Sequence, residues 1–177
     1  MSAIDLILLG SLCKEPQSAY SLQKQVEARN LKRWVKIGSF TVYKKVIQYE
    51  KKGYVSSETI KNGNMPEKTV YSITPEGRCA FKEYMYKFAS EETRIFLDFN
   101  AVIINLALLD KNEERECLSG IKESIQNTKQ QIEESIQEHK DIPFYGQAIL
   151  EQQFMLLETL EKWEAGFEQK LNRQEEK

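Results

Sequence analysis

The chain has 177 residues, of which 41% are hydrophobic and 29% are charged, and this balance predicts a soluble protein with a packed core. Its longest apolar run, residues 4–12, contains Asp5 and no basic leader, so we expect neither a membrane span nor a signal peptide. Three cysteines without a CxxC pair predict reduced thiols in a cytoplasmic protein.

The net charge of −2 hides two oppositely charged halves. Residues 1–90 carry 15 basic and eight acidic side chains, a net charge of +7, whereas residues 91–177 have a net charge of −9. Such an asymmetry is typical of a module that binds a polyanion joined to a separate assembly module.

The first three predicted elements are helices. Residues 4–12 are apolar on nearly every side, which suits a buried helix, and Ser18 is a suitable N-cap for a second helix. A third helix is predicted from about Ser39 to Lys52, ending at Gly53. The inward positions of the second and third helices are Ala19, Leu22, Val26, Val42, Val46 and Tyr49, with Tyr43 and Ile47 beside them.

The opposite face of the third helix is polar and contains no acid. Its residues are Thr41, Lys44, Lys45, Gln48, Lys51 and Lys52. An α-helix fits the major groove of B-DNA, where it needs donors and must lack carboxylates that phosphates would repel. The face therefore predicts a DNA-recognition helix.

A β-hairpin and a further helix are predicted next. Residues 54–60 and 69–73 read as strands on either side of an Asn-Gly turn signal at residues 61–64. Thr74 and Pro75 then start a helix as cap and first residue. Three helices, a hairpin and a helix form a winged helix-turn-helix, with Lys61 and Lys68 on the wing positioned to reach DNA.

The remainder is predicted to be almost entirely helical. Apolar stripes mark helices over residues 95–109 and 111–135, the latter with coiled-coil spacing. A break at Pro143 and Gly146 separates these from a last helix, and only residues 172–177 are expected to be disordered. The last helix carries four large apolar residues on one side, which we predict to hold a homodimer together: Leu157, Leu160, Trp163 and Phe167.

The N-terminal part resembles the PadR-like family of transcriptional regulators. The motifs that carry the resemblance are S-x-T-[IV]-Y (Ser39, Thr41, Val42, Tyr43), the Tyr and Leu of H-G-Y-x-L (Tyr20, Leu22), and the wing with T-x-x-G (Pro66, Lys68, Tyr71, Thr74, Gly77). Ser18-Ala19 replaces the usual His-Gly, Lys44 a common Pro, and Glu67 a frequent Arg. The resemblance implies a dimer that represses transcription and that in some members leaves DNA when a small aromatic molecule binds.

Together these patterns predict a mainly α protein with a winged helix-turn-helix domain at residues 1–88 and a long-helix dimerisation domain at residues 89–177. The predicted partner is a near-palindromic DNA operator, with two recognition helices roughly 34 Å apart in a homodimer. The predicted DNA-binding residues are Tyr20, Ser39, Thr41, Tyr43, Lys44, Lys45, Gln48, Lys61 and Lys68.

Two other classes of protein agree less well with the sequence. An enzyme is disfavoured because the single histidine, His139, lies in a charged segment and the sequence has no glycine-rich phosphate loop or metal-ligand spacing, so we expect no catalytic residue, metal or cofactor. The alternative is a helical protein-interaction adaptor that does not bind DNA. The operator, the target genes and the effector are not specified by the sequence.

Overall fold

The structure, a computed structural model, describes residues 2–28, 41–61, 67–138 and 141–175. It divides into two compact units, Met1–Arg94 and Ile95–Lys177. The described residues contain no helix that is both long and apolar enough to cross a membrane.

The first unit is a winged helix fold. Its elements are α1 (Ala3–Lys14), β1 (Gln17–Ser18), α2 (Ala19–Ala28), α3 (Thr41–Lys51), β2 (Val55–Ile60), β3 (Lys68–Ile73) and α4 (Pro75–Ser90). The mainly helical fold class with a small antiparallel sheet is confirmed. The loop around residues 30–38 and the turn at residues 62–64 lie outside the described residues.

The sheet has one more strand than the predicted hairpin. β1 pairs antiparallel with β3, placing Gln17 opposite Tyr71, and β2 pairs with β3 from Val55–Ile73 to Ile60–Lys68. A strand of two residues is too short to show alternation in the sequence, which is why the prediction missed it.

One core joins the three N-terminal helices to the sheet. α1 is apolar on most sides because it lies inside this core, as predicted. The fully buried side chains include Leu8, Leu9 and Leu12 of α1, Leu22 of α2, and Val42 and Val46 of α3.

The T-x-x-G motif joins the wing to α4. The Thr74 hydroxyl accepts a hydrogen bond from the Gly77 amide (3.0 Å) and donates one to the Gly53 carbonyl (2.6 Å). Gly77 lies so close to the wing that a Cβ there would be 2.0 Å from the Tyr54 carbonyl oxygen. The predicted Thr cap and Pro75 at the first helical position are confirmed.

The second unit consists of α5 (Asn100–Asn105), a 3₁₀ turn (Leu106–Leu108), α6 (Lys111–Glu138) and α7 (Phe144–Glu175). Asp110 caps α6, because its carboxylate accepts hydrogen bonds from the amides of Asn112 (2.8 Å) and Glu113 (3.0 Å). α6 packs against α7 through the predicted stripe, of which these residues are buried: Leu118, Ile121, Ile125 and Ile132.

Three expectations for this half are wrong in whole or in part. Residues 92–97 are not helical; Ile95 and Phe96 are 66% and 82% exposed, so within the chain their stripe has little surface to pack on. The predicted break between the two long helices is present, since α6 ends at Glu138 and α7 begins at Phe144 directly after Pro143, but Gly146 lies within the first turn of α7 and is not part of it. The tail is helical to Glu175, because extending an existing helix avoids the cost of nucleation.

Candidate nucleic-acid interface

The inward side of α3 fixes the helix in the core. Val42 and Val46 are completely buried and Tyr49 is 3% exposed. The helix ends as predicted, at Gly53, whose φ of 71° is a left-handed conformation that glycine adopts without strain. α3 therefore presents a defined outer face.

The outer face of α3 combines basic, amide and apolar side chains. Lys44, Gln48 and Lys51 are exposed. Tyr43 and Ile47 are 49% and 47% exposed, although the sequence interpretation placed both beside the inward stripe. At 100° per residue, Ile47 lies between Lys51 and Tyr43 around the helix, about 60° from Lys44, and so belongs to this face.

The acidic residue of α3, Glu50, is exposed at the edge of this face, on the side of Tyr43. The Glu50 carboxylate accepts a hydrogen bond from the Ser57 hydroxyl of β2. That contact holds the negative charge against the sheet.

Lys45 differs from the rest of the predicted stripe. Its Nζ lies 2.8 Å from Oδ1 of Asp5 in α1, and its side chain is only 22% exposed. The expectation that Lys45 faces outwards with Lys44 is therefore wrong. The sequence carried one signal for this contact, since Asp5 is the single charge within the apolar run of α1.

Asp5 is a buried carboxylate with a full set of partners. Burial alone would raise the pKa of Asp5, but hydrogen bonds from Lys45, Ser2 and Tyr49 outweigh it and hold the pKa below its usual value. The same burial, with the hydrogen bond to Asp5, raises the pKa of Tyr49 far above its ordinary range. Asp5 is thus ionised and Tyr49 neutral at physiological pH.

Tyr20 is on the surface of α2. It is 60% exposed, and the Lys24 ammonium lies 5.7 Å from its ring centroid. Ser18 caps this helix as predicted, accepting a hydrogen bond from the Ser21 amide (3.1 Å). The Tyr20 hydroxyl is therefore accessible to a partner.

The wing carries Lys61 and Lys68 at the end of the β2–β3 pair where β2 ends and β3 begins. Lys68 is opposite Ile60 in the register, and both lysines are exposed. Lys61 forms a loose ion pair with Glu67 (3.9 Å), which exposure and salt make weak. Ser39 and the side chain of Thr41 lie outside the described residues.

Four apolar residues of α7 were predicted to form a dimer contact. Trp163 is 39% exposed and stacks on Phe99 and Phe167, with ring centroids 5.5 and 5.6 Å away. Leu157, Leu160 and Phe167 are only partly exposed. More strongly exposed apolar residues lie elsewhere in this unit: Phe96, Ile104, Leu108, Phe144, Tyr145 and Met155.

Nothing in the described ranges indicates a metal site, because they contain no group of three or more metal-binding side chains. Cys13, Cys79 and Cys117 are free thiols. Burial raises the pKa of the Cys13 thiol, which lowers its reactivity.

Comparison with known proteins assigns the fold. Residues 18–90 match the family model of a winged helix DNA-binding domain. The chain superimposes on Bacillus subtilis PadR in complex with operator DNA with a TM-score of 0.77, at 14% identity over 93% of this chain and 96% of that one. The chain has the PadR fold.

Two further solved structures share the PadR fold. Bacillus subtilis PadR in complex with p-coumaric acid gives a TM-score of 0.76 at 12% identity, covering 93% of this chain and 92% of that one. The Vibrio cholerae virulence activator AphA gives a TM-score of 0.69 at 16% identity, covering 96% of this chain and 98% of that one. No curated protein sequence matches the chain significantly. The resemblance to PadR-like regulators is thus confirmed for the fold.

Proposed function

We propose that this protein is a sequence-specific, DNA-binding transcriptional regulator that inserts α3 into the major groove. The observation that carries the proposal is the outer face of α3, where Lys44, Gln48 and Ile47 are exposed together on a helix fixed by its buried side. The winged helix family match over residues 18–90 supports it, as does the operator complex of the PadR structure with the same fold.

Each side chain on this face suits a different part of DNA. Lys44 and Lys51 supply cations for phosphates or guanine edges. Gln48 has the donor and acceptor pair that matches an adenine edge, and Ile47 suits a thymine methyl group. Tyr43 and Tyr20 offer hydroxyl groups to phosphate oxygens, and we retain Ser39 and Thr41 as predicted contacts at the start of the helix.

The wing supplies further cations. Lys61 and Lys68 are both exposed at the same end of the strand pair, and a hairpin next to a recognition helix lies along the backbone of the same duplex. We propose that both lysines contact phosphates, strengthening binding to every sequence equally.

We also propose a homodimer that binds a near-palindromic operator. The second unit leaves Ile104 and Leu108 80% and 81% exposed, with Trp163 partly exposed on α7. Apolar patches of this kind mark interaction sites, and a second copy with the same patch is the partner that two-fold symmetry provides. Leu157, Leu160 and Phe167 then support the surface that Trp163 presents.

The regulator is proposed to act as a repressor that a small aromatic molecule releases. Repression requires only that the protein occupies a promoter. Because AphA is described as an activator, transcription in vitro should test whether this protein represses or activates. For the effector, the second unit contains an open cleft of about 400 Å³, a volume within the range of ligand pockets. Its lining includes Ile103, Leu106, Glu114 and Phe167, and p-coumaric acid, bound in a PadR structure, is the first probe.

The experiment is a titration of fluorescent duplex DNA with the protein at several salt concentrations. Binding through several lysines should weaken by about 0.9 log units per log unit of salt for each phosphate contact. Lys68→Glu should reduce that slope by about one, whereas Lys82→Glu on α4 serves as a surface control. A protein-interaction adaptor would bind no duplex, and a salt-independent signal would contradict the proposal.

A further inference from the structure

We infer that Asp5 and Lys45 position α3 for DNA recognition, and that Lys45 serves this role rather than contacting DNA. The inference rests on the proposed function. Lys45 is thus a positioning residue, although the sequence pattern alone grouped it with Lys44.

The two oxygens of the Asp5 carboxylate bind two different helices. Oδ2 accepts hydrogen bonds from the Ser2 amide (2.7 Å) and the Ser2 hydroxyl (3.1 Å), which close the first turn of α1. Oδ1 accepts a hydrogen bond from the Tyr49 hydroxyl (2.7 Å) and lies 2.8 Å from the Lys45 ammonium. One rigid group therefore joins the start of α1 to the inner side of α3.

This geometry fixes the rotation of α3 about its own axis. Lys45 and Tyr49 are four residues apart, so they lie on one side of the helix, and both reach the same oxygen. Because successive residues are separated by about 100° around a helix, holding this side against Asp5 also sets the direction in which Lys44, Ile47 and Gln48 point. A small rotation would move all three relative to the bases.

Lys45 is poorly placed for a phosphate. Asp5 is 2% exposed, so removing the ammonium would leave a buried carboxylate without its cation, which is a strongly unfavourable state. Lys44, one residue earlier, is exposed and is not needed to neutralise a buried carboxylate. The two adjacent lysines therefore have different roles.

The substitution Asp5→Asn distinguishes positioning from electrostatics, because the two predict opposite changes in operator affinity. It removes a negative charge and releases Lys45, so electrostatics alone would tighten binding to any duplex. A positioning role predicts weaker binding to the operator. We expect operator affinity to fall by roughly five- to 150-fold, the range of a lost base contact, while affinity for a scrambled duplex stays equal or rises.

The binding experiment uses the full-length protein with a duplex that it selects from a random library and a scrambled duplex of equal composition. It runs below the melting temperature of every variant. Lys45→Met should lower operator affinity without lowering the salt slope by one, Lys45→Arg should restore affinity, and Lys44→Met is the matched control that does lower the slope. The double variant, Asp5→Asn with Lys45→Met, should bind the operator at least as tightly as the single variant that binds it more weakly.

A second measurement does not require DNA. Hydrogen exchange in Asp5→Asn should accelerate in the α3 amides relative to those of β2, β3 and α4. If the wild type selects no DNA but this local change occurs, the proposed function fails and the helix-positioning contact stands. Unchanged α3 exchange, or operator binding by Asp5→Asn as tight as the wild type, would overturn the inference.

Discussion

At the scale of single residues, two neighbours on α3 show where pattern and structure diverge. Helical spacing alone assigns Lys45 to the outer stripe and Ile47 to the edge of the inner one. The structure reverses both assignments, because a lysine stem is long enough to reach the buried Asp5, while Ile47 has no adjoining core surface and stays 47% exposed. A tertiary partner 40 residues away in sequence cannot be inferred from periodicity.

Ile47 provides a test of base recognition. We expect Ile47→Ala to weaken operator binding by up to about 1–3 kcal/mol, because a contact with a thymine methyl group is lost. Replacing that thymine with deoxyuridine should cost the wild type a similar amount and the variant nothing. Affinity is measured on operators that each carry one deoxyuridine, with Lys82→Ala as the control variant. If the losses caused by Ile47→Ala and by deoxyuridine add at every thymine, the proposed contact is contradicted.

Asp5 provides a test by pH. Its pKa is lowered in the folded protein relative to about 3.9 in the unfolded chain, so the ionised carboxylate stabilises the fold above that value and the benefit is lost as the pH falls through the folded pKa. The difference in free energy of unfolding between the wild type and Asp5→Asn should be constant from about pH 7 to 5 and shrink below about pH 4. Urea unfolding at each pH measures it; a difference that grows on acidification is the contrary result.

At the scale of elements, the sequence predicted what depends on local chemistry. The Ser18 and Thr74 caps, the stop at Gly53 and the order of helices and strands follow from nearest-neighbour rules and agree with the structure. β1 and the non-helical residues 92–97 were missed because both depend on which surfaces lie opposite. The outer face of α3 was predicted in part, since its lysines and Gln48 follow from spacing whereas the exposure of Ile47 does not.

Substitutions at two glycines, Gly77 and Gly120, test the junction between the wing and α4. A Cβ on Gly77 would lie 2.0 Å from the Tyr54 carbonyl oxygen, so Gly77→Ala must displace α4 from the wing and should cost at least about 1–3 kcal/mol of stability. Gly120 of α6 has open space for a Cβ, and Gly120→Ala should stabilise by up to about 1 kcal/mol. Thermal unfolding compares the two, and equal effects would refute the close approach.

At the scale of the whole molecule, charge and exposed apolar surface are divided between the two units. The net charges of +7 for residues 1–90 and −9 for residues 91–177 favour the first as the part that would bind a polyanion. The second unit carries the highly exposed Ile104 and Leu108. Composition predicted the division of charge, but the residues of the proposed dimer surface depend on which side of each helix the α6–α7 packing leaves open.

The proposed dimer is tested at those two exposed positions. Burial of each large apolar side chain contributes about 1.5–3 kcal/mol, so Ile104→Glu with Leu108→Glu should yield a monomer at micromolar concentration while helix content is retained. Asn127→Glu, exposed on α6, is the control. Sedimentation equilibrium measures the state; a double variant that remains dimeric would move the interface to another surface, and a monomeric wild type would contradict the dimer.

Selection of binding sites from a random duplex library tests the central proposal most directly. A homodimer with two recognition helices should enrich an inverted repeat whose half-sites are centred about 10–10.5 base pairs apart, or a multiple of that spacing. Lys44→Ala should lose the enriched sequence while Lys82→Ala retains it. A library that remains random after repeated rounds, with protein that is folded throughout, would contradict sequence-specific DNA binding.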